Sequence, residues 1–323
     1  MVKGSGLSSL RVGIAPLPPS CLSCLSCPKD HSMPRPPSTT APRAALATGP
    51  LWRLPVLGSL LVGVVLFAGC GAPVSSSGNF TPASPHVLTV ATFEVPVPGL
   101  WTGTAEHPTG GFEYELAVNL AHHLGLDGVR VVIVPFPEIL AGHLHGADLA
   151  ISDVTATTAR QAHLQFSAPY LSATPAILSL PGQRINDLNA ARARSWSVQR
   201  GTTLSAFVEN TIKPKKPTTY ATNDKDVIDA VTSGRAEAAL LDLPVALGAA
   251  RTSPGHLVVT GQFTTQDDLS AALDLSSTNL EAVDSAINFL VANGTINNLA
   301  GTWLGQSFTG TTAKNIPLIP AIP

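Results

Sequence analysis

The sequence predicts an α/β protein. Three observations carry the prediction: β-rich runs alternate with segments of helical apolar spacing, the alternation occupies two separate stretches, and a long amphipathic helix closes the folded part. Strands separated by helical segments imply a parallel sheet covered on both faces, because each helical crossover brings the next strand back in the same direction.

Residues 87–92, VLTVAT, are rich in residues that pack well on a pleated surface. A loop dense in turn formers follows, with Pro96, Pro98, Gly99, Gly103, Pro108, Gly110 and Gly111. Phe112, Leu116, Leu120 and Leu124 then recur at helical spacing, and Gly125 stands where a left-handed helix cap belongs. Residues 129–134, VRVVIV, read as a strand that is apolar except for Arg130, and residues 148–152, DLAIS, as another. The second stretch repeats the style with SWSVQ at 195–199, a helix from Thr203, YAT near 220, a helix over 224–233 and AALL at 238–241. The closing helix is signalled by Ser277 or Thr278 as N-cap, by Leu280, Val283, Ile287 and Leu290 on one face, and by Gly294 at its end. A shorter helical turn carries Leu299, Trp303 and Leu304.

A chain of 323 residues, 44% apolar and 12% charged, suffices for two domains with good cores. Its formal charge of −2 and its scattered Lys and Arg give no basic stripe of the kind that neutralises phosphates, which sets nucleic acid aside. Cysteines stand at Cys21, Cys24, Cys27 and Cys70, so nothing beyond position 70 forms a disulfide or a thiolate metal site. The C-x-x-C-x-x-C run lies among prolines, without a fourth ligand or a fold to hold it. His122 with His123, and His143 with His145, have no acidic or cysteine ligand at helpful spacing. No metal and no cofactor is expected.

Residues 54–68, LPVLGSLLVGVVLFA, are uncharged, follow Arg43 and Arg53, and end in small residues, which is the pattern of an export signal. The stretch is shorter than the ~20 residues a membrane-spanning helix needs. Residues 1–69 therefore read as leader and signal peptide, with Met33 a candidate translation start because a leader of the full length is too long for ordinary export. Leu66-Phe67-Ala68-Gly69-Cys70 resembles the lipobox of bacterial lipoproteins, which implies acylation of Cys70 and a mature chain beginning there. Residues 70–86, rich in Gly, Ser, Pro and Ala, then form a flexible tether.

Gly111-Phe112-Glu113-Tyr114-Glu115-Leu116, followed by Leu124-Gly125, is similar to the G-F-x-x-D-L…L-G stretch of family 3 solute-binding proteins. Asp148-Leu149-Ala150-Ile151, then Thr155-Ala156-Thr157-Thr158-Ala159-Arg160 and Phe166-Ser167-Ala168-Pro169-Tyr170, resemble that family's D-x-x-x…T-x-T-x-x-R…F-S-x-P-Y run. Further matches are Val198-Gln199-Arg200-Gly201-Thr202-Thr203, then Gly234-Arg235-Ala236-Glu237-Ala238 leading to Asp242, and Gly294 with Trp303. The resemblance implies a two-lobed, periplasmic-binding-protein-like type II clamp with two crossover hinge strands. Residues 87–178 and 271–308 would form lobe 1, residues 179–270 lobe 2, and residues 309–323 a C-terminal tail. It implies a substrate-binding lipoprotein of an ABC importer, capturing a polar amino acid or similar small zwitterion in the interlobe cleft by hinge closure. Such a protein is a monomer without enzymatic activity, works with an ABC permease, and sits in the periplasm or on the outer face of the cytoplasmic membrane, held through Cys70.

A free α-amino acid carries a carboxylate and an ammonium on one carbon, so a closed site needs a positive fork and a negative partner. Arg160, whose guanidinium donates two parallel hydrogen bonds, matches the family's carboxylate-binding arginine, with Thr155 as a hydroxyl beside it. Thr202 and Thr203 follow Gly201 at a helix start, where free N–H groups and the helix dipole favour an anion, and would approach the same carboxylate from the other lobe. Asp242 matches the acid that takes the ammonium. Each has a plainer reading, Arg160 as a cap or surface ion pair and Asp242 as an N-cap. The order of the motifs favours the cleft.

Two positions depart from the family. Where relatives place an acid and then a stacking aromatic, this chain has Phe93-Glu94 after Thr92, and Phe93, Trp101 or Phe136 can supply the ring. Phe93 and Glu94 are carried as ligand contacts. Asp153 stands where relatives have a small residue, and either shares the ammonium with Asp242 or points away to a surface base. Two rival functions use the same fold: a cyclohexadienyl dehydratase-like enzyme, and a ligand-sensing module for a membrane receptor kinase. Dehydration needs an acid at the leaving hydroxyl, and the sequence shows no partner for Glu94 or Asp153 in that role.

Overall fold

Two mixed β-sheets organise residues 79–308 and 312–321, the residues described by the computed structural model. The leader with Cys21, Cys24 and Cys27, the candidate start Met33, the lipobox with Cys70 and the tether up to residue 78 lie outside the described residues.

The chain opens with β1 (Val87–Thr92), the short hairpin β2 (Thr102–Gly103) and β3 (Pro108–Gly110), α1 (Phe112–His123), β4 (Gly128–Ile133), α2 (Phe136–Leu140) and β5 (Leu149–Ala150). It continues through β6 (Leu164–Ala173), β7 (Pro175–Ser179), α3 (Leu188–Arg192), β8 (Trp196–Gln199), α4 (Thr203–Phe207), β9 (Thr218–Ala221), α5 (Asp224–Thr232) and β10 (Ala238–Asp242). Last come α6 (Leu243–Thr252), β11 (Val258–Phe263), β12 (Asp267–Asp274), α7 (Leu280–Ala292), α8 (Thr295–Trp303) and β13 (Leu318–Ile319). The first lobe is built on the sheet β4-β1-β5-β12-β6 and the second on β13-β11-β7-β10-β8-β9.

The expectation of parallel sheets holds only where helices make the crossovers. Strand β1 is parallel to β4 and β5, and β8 is parallel to β9 and β10. Strand β12 runs antiparallel to β5 and β6, and β7 antiparallel to β10 and β11. The reason is the hinge: β6 passes into β7 across Thr174 alone, and β11 returns to β12 through residues 264–266, with no helix to reverse the direction. The chain thus changes sheets at Thr174 and again before Asp267, ahead of the boundaries near 178 and 270 that the sequence suggested. Within the expected C-terminal tail, residues 312–321 are not simply a tail either, since β13 pairs with β11 and the Gln262 amide donates to the carbonyls of Ala313 (2.8 Å) and Ile316 (2.9 Å).

The loop between β1 and α1 sets the first lobe's cleft edge. Gly111 has φ +111° and lies so close to Leu100 that a Cβ there would meet its carbonyl oxygen at 2.2 Å, so only glycine lets α1 start at this point. Phe112, Leu116 and Leu120 turn one face of α1 into a core shared with Leu88, Val90 and Leu149, each burial contributing about 1.5–3 kcal/mol. The closing helix begins one residue beyond the later of the two expected caps, Ser277 and Thr278: its N-cap is Asn279, whose amide is committed to Thr81 through two 2.9 Å bonds rather than to the helix. Among the described residues no helix is long and apolar enough to cross a membrane.

Candidate ligand cleft

The cleft collects the carboxyl ends of four strands, where ligands bind in open α/β sheets. Phe93 follows β1, Ser152, Asp153 and Thr155 follow β5, Gln199 ends β8, and Asp242 ends β10. With Phe136, Arg160, Thr202, Thr203, Leu204, Asp224 and Leu240 they line a single cavity. Its volume is about 20 Å³, close to the minimum for one water, so the lobes stand shut.

Arg160 lies on a 3₁₀ turn, donates from Nη1 to the Thr155 carbonyl at 2.9 Å, and places its guanidinium carbon 5.7 Å from the centre of the Phe136 ring. Burial lowers its proton affinity, while Asp267, Asp242 and Asp153 act in the opposite direction. Asp267, at the start of β12, is the carboxylate that sequence reasoning missed. Its Oδ2 accepts hydrogen bonds from Thr203 (2.6 Å) and Thr155 (3.3 Å), which ties the two lobes together. The corner foreseen for a ligand carboxylate therefore holds a carboxylate of the protein itself.

Neighbouring Thr202 has a different task. Its hydroxyl donates to the Gln199 carbonyl (2.8 Å) and accepts from the Ser205 N–H (3.0 Å), capping the five-residue α4. Of the two threonines, only Thr203 directs its hydroxyl to an acid.

Asp153 faces the cavity beside Asp242, not a surface base. Both line the cavity, and an oxygen on each, Oδ1, is buried without a hydrogen-bond partner. Burial comes first among the causes that push both well above the usual carboxylate range, reinforced for Asp153 by Asp242 and Glu113 and for Asp242 by Asp267 and Asp224. Two buried acids lining one cavity cannot both ionise easily, so the pair holds a proton more tightly than separate exposed carboxyls do. Asp153 sits in left-handed backbone, φ 52°, because its N–H donates to Glu113 Oε1 at 2.8 Å. Glu113 also accepts from Trp101 Nε1 (2.7 Å) and the Tyr170 hydroxyl (2.5 Å), and is fully buried.

The remaining expectations divide. Phe93 lines the cavity with Phe136 at 5.5 Å in an edge-on pair, whereas Trp101 is wholly buried in the core and is no ligand platform. Glu94 is not among the lining residues. Its carboxylate lies against the backbone N–H groups of Lys225 and Asp224 at the start of α5, a contact from one lobe to the other, and burial raises its proton affinity. Asp224 lines the cavity and is pushed up to about 7 by burial, with Glu94 and Glu113 adding to the effect. Among the described residues no group of three or more His, Cys, Asp or Glu is arranged to hold a metal ion.

Two α/β lobes joined by paired hinge strands, with charged side chains from both facing one cleft, define a type II binding clamp. Residues 90–306 match the family of bacterial extracellular solute-binding proteins, family 3, and the chain belongs to that family. The L-cystine-binding protein TcyJ of Escherichia coli strain K12 is 27% identical over 203 residues, covering 62% of this chain and 76% of that protein. An ancestral arginine-binding protein bound to glutamine superimposes with a TM-score of 0.61 at 24% identity, covering 69% of this chain and all (100%) of the other. The ancestral amino acid-binding protein AncCDT-1, a precursor of cyclohexadienyl dehydratase, gives a TM-score of 0.60 at 26% identity over 68% of this chain and 96% of the other.

Proposed function

We propose that this chain is the substrate-binding lipoprotein of an ABC importer, which captures an amino acid or a similar small amine-bearing solute between its lobes and presents the closed clamp to a membrane permease. The observation that carries the reading is the convergence of Arg160 and Thr155 from one lobe with Thr203 and Asp242 from the other on a single cavity. The family supports an extracellular solute, and the relatives with amino-acid ligands in their names support the ligand class. The two hinge crossings support closure as the binding step, because contacts made by both lobes exist together only in the shut form. The protein is a monomer anchored by acyl chains on Cys70, on the outer face of the cytoplasmic membrane or in the periplasm.

Calorimetry of the full-length chain in detergent, across the common amino acids and their amine derivatives, tests the reading; affinity on the order of micromolar, about −8 kcal/mol, is expected for at least one. No heat from any of them, with folded and ligand-stripped protein, refutes it. Anchoring is tested separately: Cys70→Ala should release the protein from membranes in a carbonate wash, since stable attachment needs acyl chains when no other anchor is engaged. The proton-holding Asp153–Asp242 pair favours one second reading, a dehydratase on the same clamp. Turnover of a cyclohexadienyl acid to an aromatic product, followed by ultraviolet absorbance, distinguishes the two.

A further inference from the structure

Resting on the reading of this cleft as the ligand site, we infer that its ligand is a net cation recognised through its positive groups, with Asp267 filling the corner where relatives would take a ligand's carboxylate. Three features lead there. First, the Thr155 and Thr203 hydroxyls both donate to Asp267 Oδ2, and Asp267 is the foremost opposite charge acting on Arg160, so the groups suited to a carboxylate already hold one. A ligand carboxylate arriving at that corner would meet Asp267 as a like charge. Second, Asp242 is only 8% exposed, lines the cavity, and keeps Oδ1 without a hydrogen-bond partner, while Asp153 beside it does the same. A buried, unpartnered acceptor is costly unless a donor arrives to meet it, and an ammonium or guanidinium supplies both donors and the opposite charge.

Third, the charges do not balance. Arg160 is the one cation among the lining residues, against Asp153, Asp224 and Asp242, and Asp267 already opposes it. A zwitterion adds no net charge and leaves the surplus of acid to be met by protons held in the shut cleft. A ligand with a second positive group offsets it. Phe93 and Phe136 add two ring surfaces for the apolar stem of such a ligand. Asp153 and Asp224 are thus specificity-determining residues, and Asp267 is a built-in counterpart to Arg160.

The test compares three probes of nearly equal shape on the full-length chain in detergent: arginine, agmatine, which lacks only the carboxylate, and citrulline, which lacks only the side-chain cation. Agmatine should bind within about tenfold of arginine, and citrulline on the order of a hundredfold more weakly. Asp267→Asn should restore dependence on the carboxylate, so that arginine then exceeds agmatine by at least about tenfold. The comparison in the unaltered protein stands even where that variant does not fold. Citrulline binding like arginine, with agmatine unbound, would overturn the inference and leave the importer reading intact. Silence across every amino acid and amine would overturn both.

Discussion

Glu113 supports the cleft from beneath, and replacing it shows how strongly the site depends on a residue that no ligand touches. The wholly buried carboxylate accepts three hydrogen bonds, from Trp101 Nε1, the Tyr170 hydroxyl and the Asp153 N–H. Glu113→Ala strands three buried donors, each costing about 1–3 kcal/mol, of which the Tyr170 hydroxyl recovers part by rotating. A loss of about 3–6 kcal/mol follows, a large share of the 5–15 kcal/mol that typically holds a fold together. Glu113→Gln is the sharper probe because it keeps the shape. Whichever way its amide lies, its NH₂ faces either the Trp101 indole N–H or the Asp153 N–H, donor against donor, and about 1–3 kcal/mol is lost.

Urea unfolding followed by tryptophan fluorescence reads the change directly, since Trp101 and Trp196 are both buried. A second readout separates support of the site from support of the fold. Without the Glu113 bond Asp153 loses a restraint at φ 52°, a conformation unfavourable for most residues with a side chain, so ligand affinity should fall in Glu113→Gln protein that is still fully folded. A Gln variant within about 0.5 kcal/mol of the parent protein, with unchanged affinity, would refute this account of the residue.

Two further outcomes follow from the same geometry. Asp224 rises from an ordinary 3.8 to about 7 on folding, so the folded state holds its proton more tightly than the unfolded chain. Its contribution is present at low pH and lost as pH rises through about 7, a swing of up to about 4 kcal/mol in the unliganded protein. Melting temperature should therefore climb between pH 8 and pH 5, and Asp224→Asn should flatten the climb; a parent protein that loses stability over that interval contradicts the assignment. Thr203→Val removes the 2.6 Å bond to Asp267 that joins the lobes, a charge-assisted bond worth about 1.5–3 kcal/mol. A distance label across the lobes should report a larger open fraction without ligand, and an unchanged distance distribution would show that this bond does not hold the clamp shut.

The parts of the fold legible in the sequence are those written in short-range periodicity. Strand β1, helix α1 with Gly125 at its end, and the closing helix α7 announce themselves through apolar spacing and turn residues. The hinge does not, because residues 164–180 form one β-rich run in which Pro175 at the passage from β6 to β7 looks no different from Pro169, which lies inside β6. Only pairing with distant strands decides which sheet each half joins. The same holds at the site. Arg160, Thr155 and Asp242 were readable because they fall in family motifs, but Asp267 lies in the unremarkable stretch TTQDDLS and acquires a role only when β12 brings it against Thr203, 64 residues away. Glu113 and Asp224 read as ordinary first-turn acids of helices, where a negative charge suits the dipole. Their burial comes from tertiary contacts, which helix chemistry does not reveal.

These contacts also explain how a clamp with so many acids is able to shut. In the closed form the Asp153–Asp242 pair, Asp224 and Glu94 all hold protons more tightly than exposed carboxyls do, with burial as the leading cause in each case. Closure without ligand therefore draws protons into the cleft, whereas an entering cation supplies the positive charge directly and allows the acids to ionise. Proton and ligand are alternative ways of neutralising one surplus of negative charge. A ligand shifts the balance between open and shut only through its differential affinity for the two forms, and here the difference arises at the acids, which are screened by water when the lobes part and confront one another when they meet. The bond from Thr203 to Asp267 joins the lobes within the protein itself, so it favours closure in general. Selectivity falls to Asp153, Asp224 and Asp242, whose charges need an incoming cation before the cleft can close on them ionised.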